Sequence, residues 1–210
     1  AQSIMPLLAD LASLEGSMYR DIVKERLAVI KAFSGLVDDN QKEQVLQQSL
    51  FNNMWLLDPG WERAAGSERM EQKLRTEYKE FANDLTDEQS KGRLDIRYKL
   101  NAGQHIVVEL KRAGRLLSMM ELTEQGYKYR SALEACIKAQ SGSDASPQIE
   151  IVFVLGRPVK EAGDPTFVAK QLESLNARIV YYEQLINGAN MAYSEFLEKS
   201  AAADKIQRLV

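Results

Sequence analysis

Asp95, Glu109 and Lys111 lie within RLDIRYKLNAGQHIVVELKR, residues 93–112, a stretch that reads as two alternating runs around a short polar interruption. The interruption Asn101-Ala102-Gly103 suits a three-residue hairpin loop, with Gly103 supplying the left-handed position such loops need. Leu100 then pairs with Gln104, and counting outward sets Asp95 directly across from Glu109. Two facing carboxylates repel unless positive charge sits between them, and a divalent cation meets that need. Hard oxygen ligands suit Mg2+ or Mn2+, and one Cys and one His cannot build a usual zinc site. Lys111 projects from the same face as Glu109, roughly 7 Å further along the strand, where an ammonium group could orient a water or stabilise charge on a phosphate oxygen. The competing reading is an ordinary charge ladder on a solvated strand face, since a D…ExK spacing also arises by chance.

The elements that would hold these residues follow from periodicity. In the hairpin, Leu94, Ile96, Tyr98 and Leu100 share a core face with Ile106, Val108 and Leu110, while Asp95, Arg97, Lys99, Val107, Glu109 and Lys111 take the other. Residues 7–37 read as a helix, with apolar residues at three- and four-residue steps from Leu11 to Phe33, and serve as an arm or connector over 1–40. A second helix starts near Asp39 or Asn40, either of which can cap it, and buries Val45, Leu46, Leu50 and Phe51 before a turn at Asp58-Pro59-Gly60. Residues 62–90 are strongly charged and read as helix. Beyond the hairpin, a helix over 115–139 carries the stripe Leu122, Gly126, Tyr129, Leu133 and Cys136. SGSDASP, 141–147, is a connector, and IEIVFVLG, 149–156, is a strand buried on both faces. A helix over 164–175 leads to ARIVYYEQLI, a further strand able to join in parallel, and a terminal helix runs from Glu183 toward Glu198. The expected fold is α/β: a mixed central sheet with helices on both faces, occupying 41–210.

Composition sets outer bounds. The chain has 210 residues, 45% hydrophobic and 27% charged, enough to bury a substantial core. No apolar run approaches the roughly 20 residues that span a bilayer, and no secretory signal opens the sequence. Cys136 is the single cysteine, so an internal disulfide is excluded and a reducing, cytoplasmic setting is expected. The sequence starts at Ala1, which suggests a fragment of something longer. A net charge of −3 argues against bulk attraction to nucleic acid, but residues 91–130 hold nine basic groups against four acidic ones. Positive charge therefore gathers where a phosphate backbone would be drawn, or else forms a solvated cluster with no partner.

The order helix, hairpin, helix, strand, helix, strand, with Asp95 on one strand and Glu109-Leu110-Lys111 on the next, resembles the PD-(D/E)xK nuclease superfamily over about residues 40–186. The resemblance implies a restriction-endonuclease-like fold and Mg2+-dependent hydrolysis of DNA. It implies a metal held by Asp95, Glu109 and the Leu110 carbonyl, with Lys111 assisting the attacking water. Glu43 stands where many members add a carboxylate from the first core helix, and Gln125 with Tyr129 fits the Q-x-x-x-Y of branches similar to the RecB nuclease. Those two residues are neighbours at i and i+4 on one helix face. Within the superfamily the chain is similar to Shedu-type anti-phage nuclease domains, which share an aromatic stretch like Asn53-Met-Trp-Leu-Leu57. The Pro that often precedes the Asp is replaced by Arg93-Leu94. Related modules are often fused to ATPase or sensor domains, and a homo-oligomer is compatible with the pattern. This sequence has no GxxxxGK[ST], so a nucleotide-driven step would need another domain or subunit.

Arg112, Arg115 and Lys128 are candidate phosphate contacts, with Tyr129 beside them on the nucleic-acid side. Each residue has a plainer alternative. Glu43 can be a solvated charge at a helix start, Gln125 a surface amide, and Tyr129 a core aromatic with its hydroxyl at the rim. His105 reads as structural or exposed, and Cys136 as a small buried hydrophobe. The rival functions are a non-catalytic binding or assembly module with the same fold, and a phosphoesterase acting on RNA or a small nucleotide.

Overall fold

In the computed structural model, residues 5–58, 96–99, 105–141 and 147–207 are described. Four strands form one mixed sheet in the order β1-β2-β3-β4: β1 (Ile96–Lys99), β2 (His105–Leu110), β3 (Ile149–Leu155) and β4 (Ala177–Tyr181). The β1–β2 pair is antiparallel with Ile96 opposite Val108 and Lys99 opposite His105, the register expected from a three-residue loop. Asp95, Leu100 and the loop itself lie outside the described residues. β2, β3 and β4 run parallel, with Glu109 beside Phe153 and Val152 beside Arg178. The parallel connections need crossovers, and helices supply them.

Every position of β2 and all but Glu150 of β3 is buried, which requires cover on both sides of these mainly apolar strands, and the chain provides it. On one face lie α1 (Met5–Asp38), α2 (Glu43–Asn52), a 3-10 turn (Met54–Leu56) and the start of α5 (Tyr182–Gln207). They bury Ile30, Phe33, Leu46, Leu50 and Tyr182 against Ile106, Val108 and Leu110. On the other face, α3 (Met119–Ser141) buries Leu122, Tyr129 and Leu133 against Val107, Ile151 and Phe153, while α4 (Pro165–Ser174) adds the partly buried Val168 and Leu172 and the buried Leu175 at its C-cap. Gly126 lets α3 approach closely: a Cβ there would stand 2.9 Å from Leu175 and 3.3 Å from Phe153.

Several local expectations change. The end of α1 is a Schellman closure, in which Asn40 donates to Val37 and Gln41 donates to Leu36, with Asn40 left-handed at φ 47°. Asn40 therefore stops the first helix instead of capping the second, whose N-cap is Lys42 with no side-chain cap bond. Leu46 and Leu50 are buried as expected, but Val45 is 40% exposed because it falls off the inward stripe. α3 starts at Met119 instead of 115, because Ser118 and Glu121 form a capping box: the Ser118 amide donates to Glu121 and the Glu121 amide donates to the Ser118 hydroxyl. α4 starts where expected, with Asp164 accepting from the Phe167 amide and Pro165 in the first turn. Residues 59–95 and the side chain of Cys136, with the readings made of them, lie outside the described residues. No helix among the described residues is long and apolar enough to cross a membrane.

Candidate functional site

Glu109 and Lys111 follow the alternation of β2 onto the face covered by α3, where the sequence expects a polar surface. The structure places both inside instead: Glu109 is 2% and Lys111 6% exposed. The solvated charge ladder is thereby overturned. What hid this from the sequence is that α3 covers the face, with Gln125 supplying the polar contact within an otherwise apolar stripe.

The two groups meet directly. The Lys111 ammonium donates to Glu109 Oε1 at 2.5 Å, and the Gln125 amide donates to the same oxygen at 2.6 Å. Gln125 also donates to the Tyr129 hydroxyl at 2.6 Å, so the i, i+4 pair on α3 acts as one unit aimed at the carboxylate. An ion pair in an apolar layer loses hydration on both partners, by several kcal/mol per ion, and its mutual attraction offsets this only with added hydrogen bonds. Such an arrangement is weak evidence for stability and better evidence for a chemical use.

Beyond Lys111 the chain leaves the sheet. The Lys111 carbonyl accepts from the buried Tyr182 hydroxyl at 2.9 Å, and the Lys111 amide donates to Val154 at 3.1 Å. Tyr182 thus fixes the strand end that carries the ammonium group. The sequence pattern places Tyr182 within the last strand, whereas that strand ends at Tyr181 and Tyr182 opens α5. The available signal was a second Tyr in YYEQ, one position past the alternation. Leu110, expected to offer its carbonyl, has its side chain in the core beside Val108 and pairs with Val154 in the ladder.

Glu43 comes to the same strand end from the other layer. Its Oε1 accepts from the Arg112 amide at 3.3 Å and lies 3.6 Å from the Arg115 guanidinium. Arg112 donates from its guanidinium to the Asn40 carbonyl at 2.7 Å, and the Gly114 amide donates to Asn40 Oδ1 at 2.8 Å. The candidate residues therefore form two adjoining groups: Glu109, Lys111, Gln125 and Tyr129 inside, and Glu43, Arg112 and Arg115 at the rim. Lys128 joins neither. It is exposed and pairs with Glu124 at 3.0 Å along α3. Tyr129, expected on the nucleic-acid side, is 4% exposed, because its ring belongs to the core under α3 and its hydroxyl serves Gln125.

The donors at this strand end are carboxylates and backbone carbonyls, which fits a hard cation such as Mg2+ or Mn2+. Among the described residues no cluster of three or more His, Cys, Asp or Glu is present, and Asp95 lies outside them. No family model, curated protein or solved structure matches this chain.

Proposed function

We propose that the chain is a metal-dependent deoxyribonuclease module of the PD-(D/E)xK type, with a restriction-endonuclease-like fold and a role in anti-phage defence. The observation that carries this reading is the buried Glu109–Lys111 pair on β2, held by Gln125 from α3. A fold needing only stability would place apolar residues there. The register supports the same view, since one further step along the β1–β2 ladder would set Asp95 across from Glu109.

In this reading Asp95, Glu109, the Leu110 carbonyl and Glu43 are the groups that would hold Mg2+ or Mn2+. Once bound, the ion would supply Lewis acidity toward the phosphate and help generate the nucleophile from water. The chain's own residues do the rest. Lys111 holds its ammonium beside the carboxylate, where it aligns the water or stabilises charge on a phosphate oxygen. Gln125 and Tyr129 fix the rotamer of Glu109, and Tyr182 fixes the backbone at Lys111. Arg112 and Arg115 engage phosphates at the rim. An ATPase or sensor domain, as partner or in the same protein, would supply the trigger.

The test compares wild type with Asp95→Asn and Glu109→Gln on linear, nicked and single-stranded DNA with magnesium, alongside thermal melting. Cleavage by wild type that is lost in both folded variants is the expected outcome. Equal cleavage by all three rejects the assignment. One observation favours a second reading, a catalytically inactive nuclease-fold module: Glu109 Oε1 is already engaged by both Lys111 and Gln125. That reading predicts no cleavage and no carboxylate-dependent uptake of manganese by calorimetry.

A further inference from the structure

Two loops leave the carboxyl ends of the neighbouring parallel strands β2 and β3, and they are stitched to one another. The Lys160 amide donates to the Leu117 carbonyl at 2.9 Å, and the Met119 amide donates to Glu161 at 2.8 Å. Gly156 passes so close to Ala113 that a Cβ would stand 2.1 Å from its carbonyl oxygen. The result is a rigid double loop, residues 112–120 and 156–161, at the end of the sheet where open α/β folds receive ligands.

The charges on this double loop are sorted. Glu43, Glu121 and Glu161 each accept from a backbone amide, those of Arg112, Ser118 and Met119. The cations Arg112, Arg115, Arg157 and Lys160 are exposed. No salt bridge of Arg157 or Lys160 is seen among the described residues, and Lys160 adds only a weak attraction to the Glu121 carboxylate. The stretch 112–120 also holds two large apolar side chains in water, Leu116 at 51% and Met120 at 78% exposure. Neighbouring Leu117 and Met119 are buried at 4% and 0%, so the loop turns one apolar pair inward and leaves the other outside. Apolar groups held on a rigid, basic surface carry a hydration cost that a partner would remove.

We infer that this double loop is a duplex-DNA contact surface, in which Arg112, Arg115, Arg157 and Lys160 grip phosphates while Leu116 and Met120 press as a wedge against a base step. Charge complementarity selects a polyanion. The wedge selects duplex over single strand, because single-strand surfaces use aromatic rings for stacking, whereas aliphatic residues unstack steps of a duplex. Of these residues, Arg157, Lys160, Leu116 and Met120 lie outside the nuclease motif. The inference deepens the nuclease reading and rests on it for the choice of DNA, but the surface can be tested without cleavage.

Binding of a fluorescent duplex, and of its single strand, is measured in EDTA over a range of salt concentrations. Wild type is compared with Arg157→Gln/Lys160→Gln and with Leu116→Ser/Met120→Ser, all exposed positions, with melting curves as a control of folding. Loss of both cations should reduce the slope of log affinity against log salt by about 2, since each phosphate contact contributes about 0.9. The apolar variant should keep the wild-type slope and lose its preference for duplex over single strand. Unchanged slope and affinity in the first variant, or an unchanged duplex preference in the second, overturns the inference. Absence of wild-type binding overturns it as well. Cleavage by wild type with unaltered binding in the variants would sink the surface and leave the nuclease standing. Variant-sensitive binding without cleavage would do the reverse.

Discussion

The Glu109 carboxylate and the Lys111 ammonium illustrate how a buried charge pair can be read by double substitution. Lys111→Met alone leaves the carboxylate in an apolar layer and should cost about 3–5 kcal/mol, visible as a large fall in the denaturant midpoint. Adding Glu109→Leu to that variant should recover most of the loss while abolishing any cleavage. A double variant as unstable as the single one would show that the pair is there for packing. Tyr182→Phe removes one buried hydroxyl from the Lys111 carbonyl and should cost about 1–3 kcal/mol. Its cleavage rate should fall further than its stability explains if the strand end must be held in place. At this scale the sequence disclosed the residue types, and the alternation of β2 disclosed that Glu109 and Lys111 share a face. It did not disclose that the face is dry. That depends on α3 lying across it, which periodicity within a single strand cannot show.

Among the elements, those with strong patterns were the most legible. β3 reads as an apolar run interrupted only by Glu150 because both its faces are covered, and α4 announces itself with Asp164 and Pro165. Boundaries set by side-chain capping were less so. The start of α3 depends on which Ser and Glu come together, and the Ser118–Glu121 pair sets it beyond Arg115. This box has a pH signature. Hydrogen bonds from the Ser118 amide, then its hydroxyl, hold Glu121 below its usual carboxylate value of 4.5, with Lys160 and Arg115 adding smaller attraction. A depressed carboxylate stabilises the fold above its unfolded pKa and loses that contribution as pH falls through the folded one. The melting temperature of wild type should therefore drop faster than that of Glu121→Gln as the pH is lowered below about 4.5. The difference should be small, since the carboxylate is fully in solvent. Parallel curves for the two proteins would dismiss the box as a source of acid sensitivity.

For the molecule as a whole, the mixed sheet with helices on both faces follows from element order and strand burial, and the structure shows it. The contribution of α1 was harder to foresee. It reads as a packing arm or a connector, and Ile30 and Phe33 of its stripe are fully buried in the same core as Leu46 and Leu110, with Phe33 meeting Tyr182 ring to ring at 5.9 Å. Farther out, Arg26 lies over both Trp55 and Tyr193, tying α1 to the 3-10 turn and to α5. The Phe33–Tyr182 and Arg26–Tyr193 partnerships join residues more than a hundred positions apart, and no local period encodes them.

Asn40 carries two demands at one position: a left-handed backbone and an acceptor for the Gly114 amide. Glycine meets the first and alanine neither, whereas aspartate meets both. In a saturation library sorted for folded protein, position 40 should retain Asn and Asp, tolerate Gly at reduced yield and shed β-branched residues first. That profile would mark this junction as one of the least mutable surface sites in the chain.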